Sequence, residues 1–193
     1  MKIAFPAADM SGPPVVLCRM RSTIGKAAAL VQFALALALA AAPGTADAKS
    51  KAKSEAQAYA DRKCLTEGLY FEAGSEGKDG MTAVAEVIFR RAKTPGYPKT
   101  ICAVVYNGAP SYGCQFSFAC DGSRVRPRSL ALWKATWKLA GELLKDREAV
   151  LAADTTQGAV RFHADYVQPD WEAEGFEMTV QIGRHIFYRP KAD

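Results

Sequence analysis

The chain has 193 residues, 49% of them hydrophobic, and a formal net charge of +5. That length suits one domain plus extras, and the composition is ordinary for a globular protein. So mild a basic excess is far from the balance of a nucleic-acid-binding protein, and part of it lies in an N-terminal stretch expected to be removed.

From Arg19 to Ala48 the residues fall into the three parts of an export signal. Arg19, Arg21 and Lys26 are basic, Ala27 to Ala42 form an apolar run broken only by Gln32, and Pro43-Gly44 precede the small-x-small site Ala46-Asp47-Ala48. A permanent membrane helix needs about 20 apolar residues, and this run is shorter. Residues 1–48 therefore read as a signal peptide cleaved after Ala48, with a retained anchor as the alternative. Residues 1–19 are long for a basic leader and hold Pro13-Pro14, which leaves Met20 as a competing start. Loss of residues 1–48 removes Lys2, Arg19, Arg21 and Lys26 against Asp9 and Asp47, so a smaller positive charge remains. It suits an anionic partner such as the cell wall, and equally an ordinary surface. The expected location is periplasmic or secreted, with no stable membrane span and no nucleic-acid partner, and the chain is expected to be a monomer.

Cleavage also removes Cys18 and leaves Cys64, Cys102, Cys114 and Cys120. An even count in an exported chain points to disulfides. Cys114 and Cys120 flank a short loop, which favours that pair together with Cys64–Cys102. A zinc site is the rival, but no C-x-x-C spacing occurs.

Residues 49–60 are rich in Lys, Ala and Ser without an apolar stripe, and read as a solvated linker or a frayed helix start. Residues 61–190 then form one domain. A helix is predicted over Ala58–Ala73, stopped at Gly74, and a second over Asp79–Ala92 with Met81, Val84, Ala85, Val87 and Ile88 inside. Pro95-Gly96-Tyr97-Pro98 breaks the chain, and Thr100 caps a short helix through Tyr106. A loop from Asn107 to Arg128 leads to a helix from Ser129 to Lys145, whose stripe of Leu130, Trp133, Trp137, Ala140 and Leu144 reads as core. Strands follow at Ala159–Val167, Glu177–Ile182 and His185–Arg189, the last two joined by the turn Gly183-Arg184. Helices first and a small antiparallel sheet last make an α+β domain.

Tyr70-Phe71-Glu72-Ala73-Gly74-Ser75-Glu76-Gly77 is the segment richest in chemistry. Glu72 falls in the last helical turn, where the helix dipole disfavours a carboxylate, and flanking Tyr70 and Phe71 reduce its solvation. Both effects raise its pKa towards that of a general acid at neutral pH. The same placement fits a surface glutamate. Glu76 follows at i+4, in a direction the glycines leave open. Gln115-Phe116-Ser117-Phe118 alternates polar and aromatic side chains, as a sugar site does and as a strand with its phenylalanines inside also does. His163 and His185 are the only histidines. His185 reads as structural, whereas His163 is a candidate to line a cleft and orient Glu72 or the substrate. With Asp121 or Asp165 they would be the ligands of a zinc amidase, a reading their spacing does not support.

Leu69-Tyr70-Phe71-Glu72-Ala73-x-x-Glu76-Gly77, the Gly80–Arg91 helix and Pro95-Gly96-Tyr97-Pro98 together resemble the spore cortex-lytic enzyme family of cell wall hydrolases. The likeness runs on through Cys114-Gln115-Phe116-Ser117-Phe118-x-Cys120-Asp121-Gly122 and Gly158-Ala159-x-x-Phe162-His163-Ala164 with Trp171. It closes on Ile182-Gly183-Arg184-His185-Ile186-Phe187-Tyr188, so it spans nearly all of 64–189, with the cysteines of the Gram-negative variant. Gly74-Ser75 replaces an Arg-Gly type pair, and Val160-Arg161 stands where Thr- or Tyr-like residues are usual. The resemblance implies a lysozyme-like catalytic domain over 61–190 that cuts peptidoglycan between N-acetylmuramic acid and N-acetylglucosamine without a cofactor or metal. Glu72 then becomes the catalytic acid, and Tyr70, Glu76, Gln115, Phe116, Ser117, Asp121 and His163 become substrate-binding residues. Lytic transglycosylation needs one acid/base residue, whereas a muramidase that hydrolyses the bond usually needs a second carboxylate, for which Glu76 and Asp121 are candidates. A non-catalytic wall-binding module is the reading from another class.

Overall fold

The structure, a computed structural model, describes residues 44–109, 113–125 and 128–192. Most of the expected signal segment lies outside those residues. Among the described residues no helix is long and apolar enough to cross a membrane.

Helix α1 runs from Gly44 to Ala73. Its C-terminal half inserts Cys64, Leu65, Leu69 and Ala73 into the core. Its N-terminal part, 47–59, is exposed throughout, so the stretch read as a linker or frayed start is helix. The reason is energetic: alanine, lysine and glutamate are strong helix formers, and a helix already nucleated by packing extends at little cost.

Helix α2 (Gly77–Lys93) is the centre of the domain. Met81, Val84, Ala85 and Ile88 join the core shared with α1, while Ala83 and Val87 pack with Ala159 and Phe187 of the sheet side. Thr94 is extended ahead of Pro95, as proline demands of its predecessor. Tyr97 N–H then bonds Thr94 O at 3.4 Å, with Gly96 at φ +83° in the place a type II turn reserves for glycine.

The short α3 (Ile101–Val105) begins as predicted, with the Thr100 hydroxyl accepting from Ala103 N–H at 3.2 Å. The Cys64–Cys102 disulfide joins α1 to α3, and Cys114–Cys120 closes the loop that follows. Both predicted pairs are present. The loop holds a two-residue pairing of β1 (Gly108–Ala109) with β2 (Gly113–Cys114), then single 3₁₀ turns at Ser117–Ala119 and Ser123–Val125.

Helix α4 (Leu130–Lys145) starts at the Ser129 cap, and its inward face keeps Ala140 and Leu144 of the predicted stripe but not the rest. Thr136, Leu139, Ala140 and Leu143 are buried, whereas Leu130 is 72% exposed and both tryptophans are half-buried. Thr136 enters the core because its hydroxyl bonds the Leu132 carbonyl at 2.8 Å and leaves no unmet polar group. A short α5 (Arg147–Ala153), absent from the sequence reading, follows. Strands β3 (Arg161–Ala164), β4 (Phe176–Ile182) and β5 (His185–Pro190) form an antiparallel sheet in the order β3-β5-β4, and Gly183-Arg184 makes the β4–β5 turn. Among the described residues, five α-helices with a small three-stranded antiparallel sheet at the end confirm the α+β class.

Candidate active site

Glu72 lies in the last turn of α1. Next to it, Phe71 stacks on Phe118 with ring centroids 4.9 Å apart, which seats the disulfide-closed loop on this end of the helix. Phe116 and Phe118 are each 1% exposed, so the alternating Gln115–Phe118 segment sends both rings inward and leaves Gln115 and Ser117 outside. The backbone N–H of Ser117 donates to the Glu72 carboxyl. Asp121, on the same loop, accepts from Ser123 N–H at 2.7 Å and directs negative charge towards Glu72.

These neighbours determine how Glu72 titrates. Burial pushes its pKa up most, repulsion from Asp121 adds to the rise, and the Ser117 amide and the cation of Arg91 oppose it. The result is about 7, close to neutrality. Its Oε1 is buried and makes no hydrogen bond. Burial, expected from the flanking aromatics, leads the shift.

Arg91 is 4% exposed and was given no role in the sequence reading. Its Nε donates to Val160 O at 2.7 Å, and its guanidinium lies 5.5 Å from the Phe116 ring centre. It carries burial's signature too, its pKa lowered to about 10. A hint was available: Val84, Ile88 and Arg91 share one helical stripe, so an arginine stood on an apolar face. Glu67 was also missed. It is buried on α1, accepts from the Tyr106 hydroxyl and pairs with Arg128 at 3.5 Å. Tyr106 in turn packs against Phe118, bracing the loop from beneath.

Four of the residues predicted to bind substrate have other positions. Tyr70 turns into the seam with α4, where its hydroxyl accepts from Ser129 N–H at 2.9 Å and its ring meets Trp133. Phe116 is core. Glu76 pins the β4–β5 turn: its Oε2 accepts from Arg184 N–H at 2.9 Å, and that bond holds its carboxyl below the usual range. A side chain on Gly183 would collide with the same oxygen. His163 packs on Trp171 and Tyr188, with Nδ1 2.9 Å from Ala164 O. His185 points to the other face of the sheet, edge-on to Phe162, and burial lowers its pKa. Histidines on opposite faces cannot share one metal. Among the described residues no three His, Cys, Asp or Glu side chains gather as a metal-binding group. The loop thus brings Ser117 and Asp121 to Glu72 and leaves Gln115 exposed beside Phe116, and the remaining four pack or bond elsewhere.

A helical domain backed by a small sheet, with one half-buried carboxyl titrating near neutrality, has the composition of an acid–base enzyme. The chain belongs to the cell wall hydrolase family, whose model matches residues 75–188. The matched stretch begins just after Glu72 and takes in α2, the disulfide-closed loop and the sheet up to Tyr188 in β5. Two solved structures are similar. One is the catalytic domain of the germination-specific lytic transglycosylase SleB from Bacillus anthracis, 23% identical, covering 67% of this chain and 93% of that one with a TM-score of 0.48. The other, the catalytic domain of Bacillus cereus SleB, is also 23% identical, covers 67% of this chain and 89% of its own, and has a TM-score of 0.48. No curated protein matches the sequence.

Proposed function

We propose that this cell wall hydrolase cuts the glycan strand of peptidoglycan between N-acetylmuramic acid and N-acetylglucosamine, as a lytic transglycosylase with Glu72 as its single acid/base. The supporting observation is the Glu72 carboxyl itself, half-buried, with an unpaired Oε1 and a pKa of about 7. At neutral pH a large fraction of it is protonated. Protonated Glu72 gives its proton to the glycosidic oxygen as the bond to the muramyl C1 breaks. The carboxylate then takes the proton of that sugar's C6 hydroxyl as its oxygen bonds to C1. Glu72 is restored, no water is consumed, and the new end is a 1,6-anhydro ring. In this reading exposed Gln115 and Ser117 bind the acetamido groups.

A second reading is hydrolysis, favoured by one observation: Asp121 is near enough to raise the Glu72 pKa and so to serve as a second carboxylate. Masses of the released muropeptides separate the two. Anhydro ends, lighter than reducing ends by one water, are expected, and a product with only reducing ends would overturn transglycosylation.

Activity should fall as pH rises through about 7, because the acid form of Glu72 is lost there. Asp121→Asn keeps the acceptor for Ser123 N–H but removes the charge that raises the Glu72 pKa. The alkaline limb of the rate profile should therefore move to lower pH, with anhydro products still formed. Complete loss of activity in Asp121→Asn would favour hydrolysis. We further infer export through residues 1–48, since disulfides form and persist in oxidising compartments.

A further inference from the structure

The tryptophans that the sequence pattern assigned to the core line a groove between α1 and α4. Tyr59, Lys63, Trp133, Lys134 and Trp137 enclose about 360 Å³, within the range of small-ligand sites. Tyr59 is 63% exposed and both tryptophans are half-buried. The rings are held in place from behind. Trp137 meets Tyr59 at 5.6 Å and has the Arg62 guanidinium 4.5 Å over its face, with Arg62 Nε bonded to the Trp137 carbonyl at 2.9 Å. Trp133 is braced by Tyr70 at 5.5 Å and by Arg128 at 4.4 Å. Exposed aromatic surface costs hydration free energy, so a braced row that keeps part of its ring surface open to solvent marks a contact surface.

The groove is separate from Glu72. Tyr59, Lys63 and Tyr70 fall on one face of α1, and Glu72, two residues past Tyr70, lies about 200° round the helix.

We propose that this groove is a second, non-catalytic binding site for peptidoglycan, a proposal that rests on the wall substrate argued above. Sugar rings present flat C–H faces that stack on Tyr59, Trp133 and Trp137. The stem peptides carry free carboxylates, and the rim offers them exposed Lys134, with Lys63, which also pairs with Glu67 at 3.6 Å, beside it. A shallow, rigid, aromatic trough with a positive edge fits an extended anionic glycopeptide. A polymer held at two points on one protein raises the effective concentration of its bonds at Glu72 without adding to the chemistry there.

Tyr59→Ala combined with Lys134→Glu tests the assignment, since both side chains are exposed and neither belongs to the Glu72 site. In a Glu72→Gln background, which stops cleavage, binding to purified sacculi should weaken about tenfold, and the residual binding should depend less on salt. In the otherwise wild-type protein the sacculus concentration giving half-maximal rate should rise by a similar factor. Turnover on a short soluble glycan, too small to span both sites, should stay the same. Unchanged sacculus binding would overturn the proposal, and so would an equal loss on short and long substrates. Loss of self-association with sacculus binding intact would mark a protein–protein face and overturn it as well. A protein that held sacculi through this groove but released nothing from them would leave the groove standing and remove the proposed cleavage.

Discussion

Glu72→Gln should leave a folded protein whose rate of wall solubilisation is lower by about 10²–10⁴-fold, the usual range for losing a general acid. Glutamine matches glutamate in shape and still offers an oxygen to the Ser117 N–H, but it has no proton to give. The fold has no reason to suffer. The folded protein holds the Glu72 pKa at about 7, above the ordinary 4.5, so the folded state binds the proton more tightly than the unfolded chain. Stability from this group is therefore greatest below the ordinary value and is lost as pH rises from there through about 7. Thermal melts from acid to mildly alkaline pH should show wild type losing stability across that window, with Glu72→Gln losing less. The two measurements check each other: the rate reports the proton donor, and the melts report the burial that tunes it. A Gln variant that kept the wild-type rate would remove Glu72 from the mechanism.

Local signals in the sequence located most of the frame. Thr100 caps the helix it was expected to cap, the helix expected from Ser129 starts there, Gly183-Arg184 makes the hairpin turn, and spacing alone favoured the observed disulfides. What failed was decided by contacts between distant residues. On α4 the apolar count favoured a stripe through Leu130, Trp133 and Trp137, but Thr136 reaches the core by satisfying its own hydroxyl, and the helix is rotated accordingly. Glu76 stood at helical spacing from Glu72, yet α1 ends at Ala73, and the carboxyl leaves to bind Arg184, 108 residues on. Phe116 had an aromatic face to offer a sugar, but burial against Arg91 and Phe162 takes it inward. Glu72 itself was visible by its neighbours. The loop amide and the aspartate that tune it come from 45 or more positions along the chain, beyond any periodic pattern.

Glu86→Ala should be the most destabilising single change in the domain, at about 3–5 kcal/mol. Glu86, on the inward side of α2, is fully buried and had no role in the sequence reading. It collects the N–H and hydroxyl of Thr155 at 3.0 and 2.6 Å, those of Thr156 at 3.3 and 2.6 Å, and Arg90 at 2.6 Å. Beside it, Asp154 and Gln157 adopt φ +47° and +55°, a left-handed backbone that residues other than glycine hold only when their surroundings impose it. Alanine would leave four donors without their acceptor, take from Arg90 one of its two carboxylate partners (the other is Asp154), and release that turn. At roughly 2–4 °C per kcal/mol for a domain of this size, the melting temperature should drop by about 10 °C. Glu86→Gln, which keeps the shape and one oxygen, should fall between alanine and wild type. The turn leads through Ala159 to Val160, whose carbonyl holds Arg91 behind the Glu72 site. Activity of Glu86→Ala should therefore be near normal well below its melting point and disappear with the fold on warming. An alanine variant that melted with wild type would show that the buried carboxylate's desolvation cancels everything its five partners contribute.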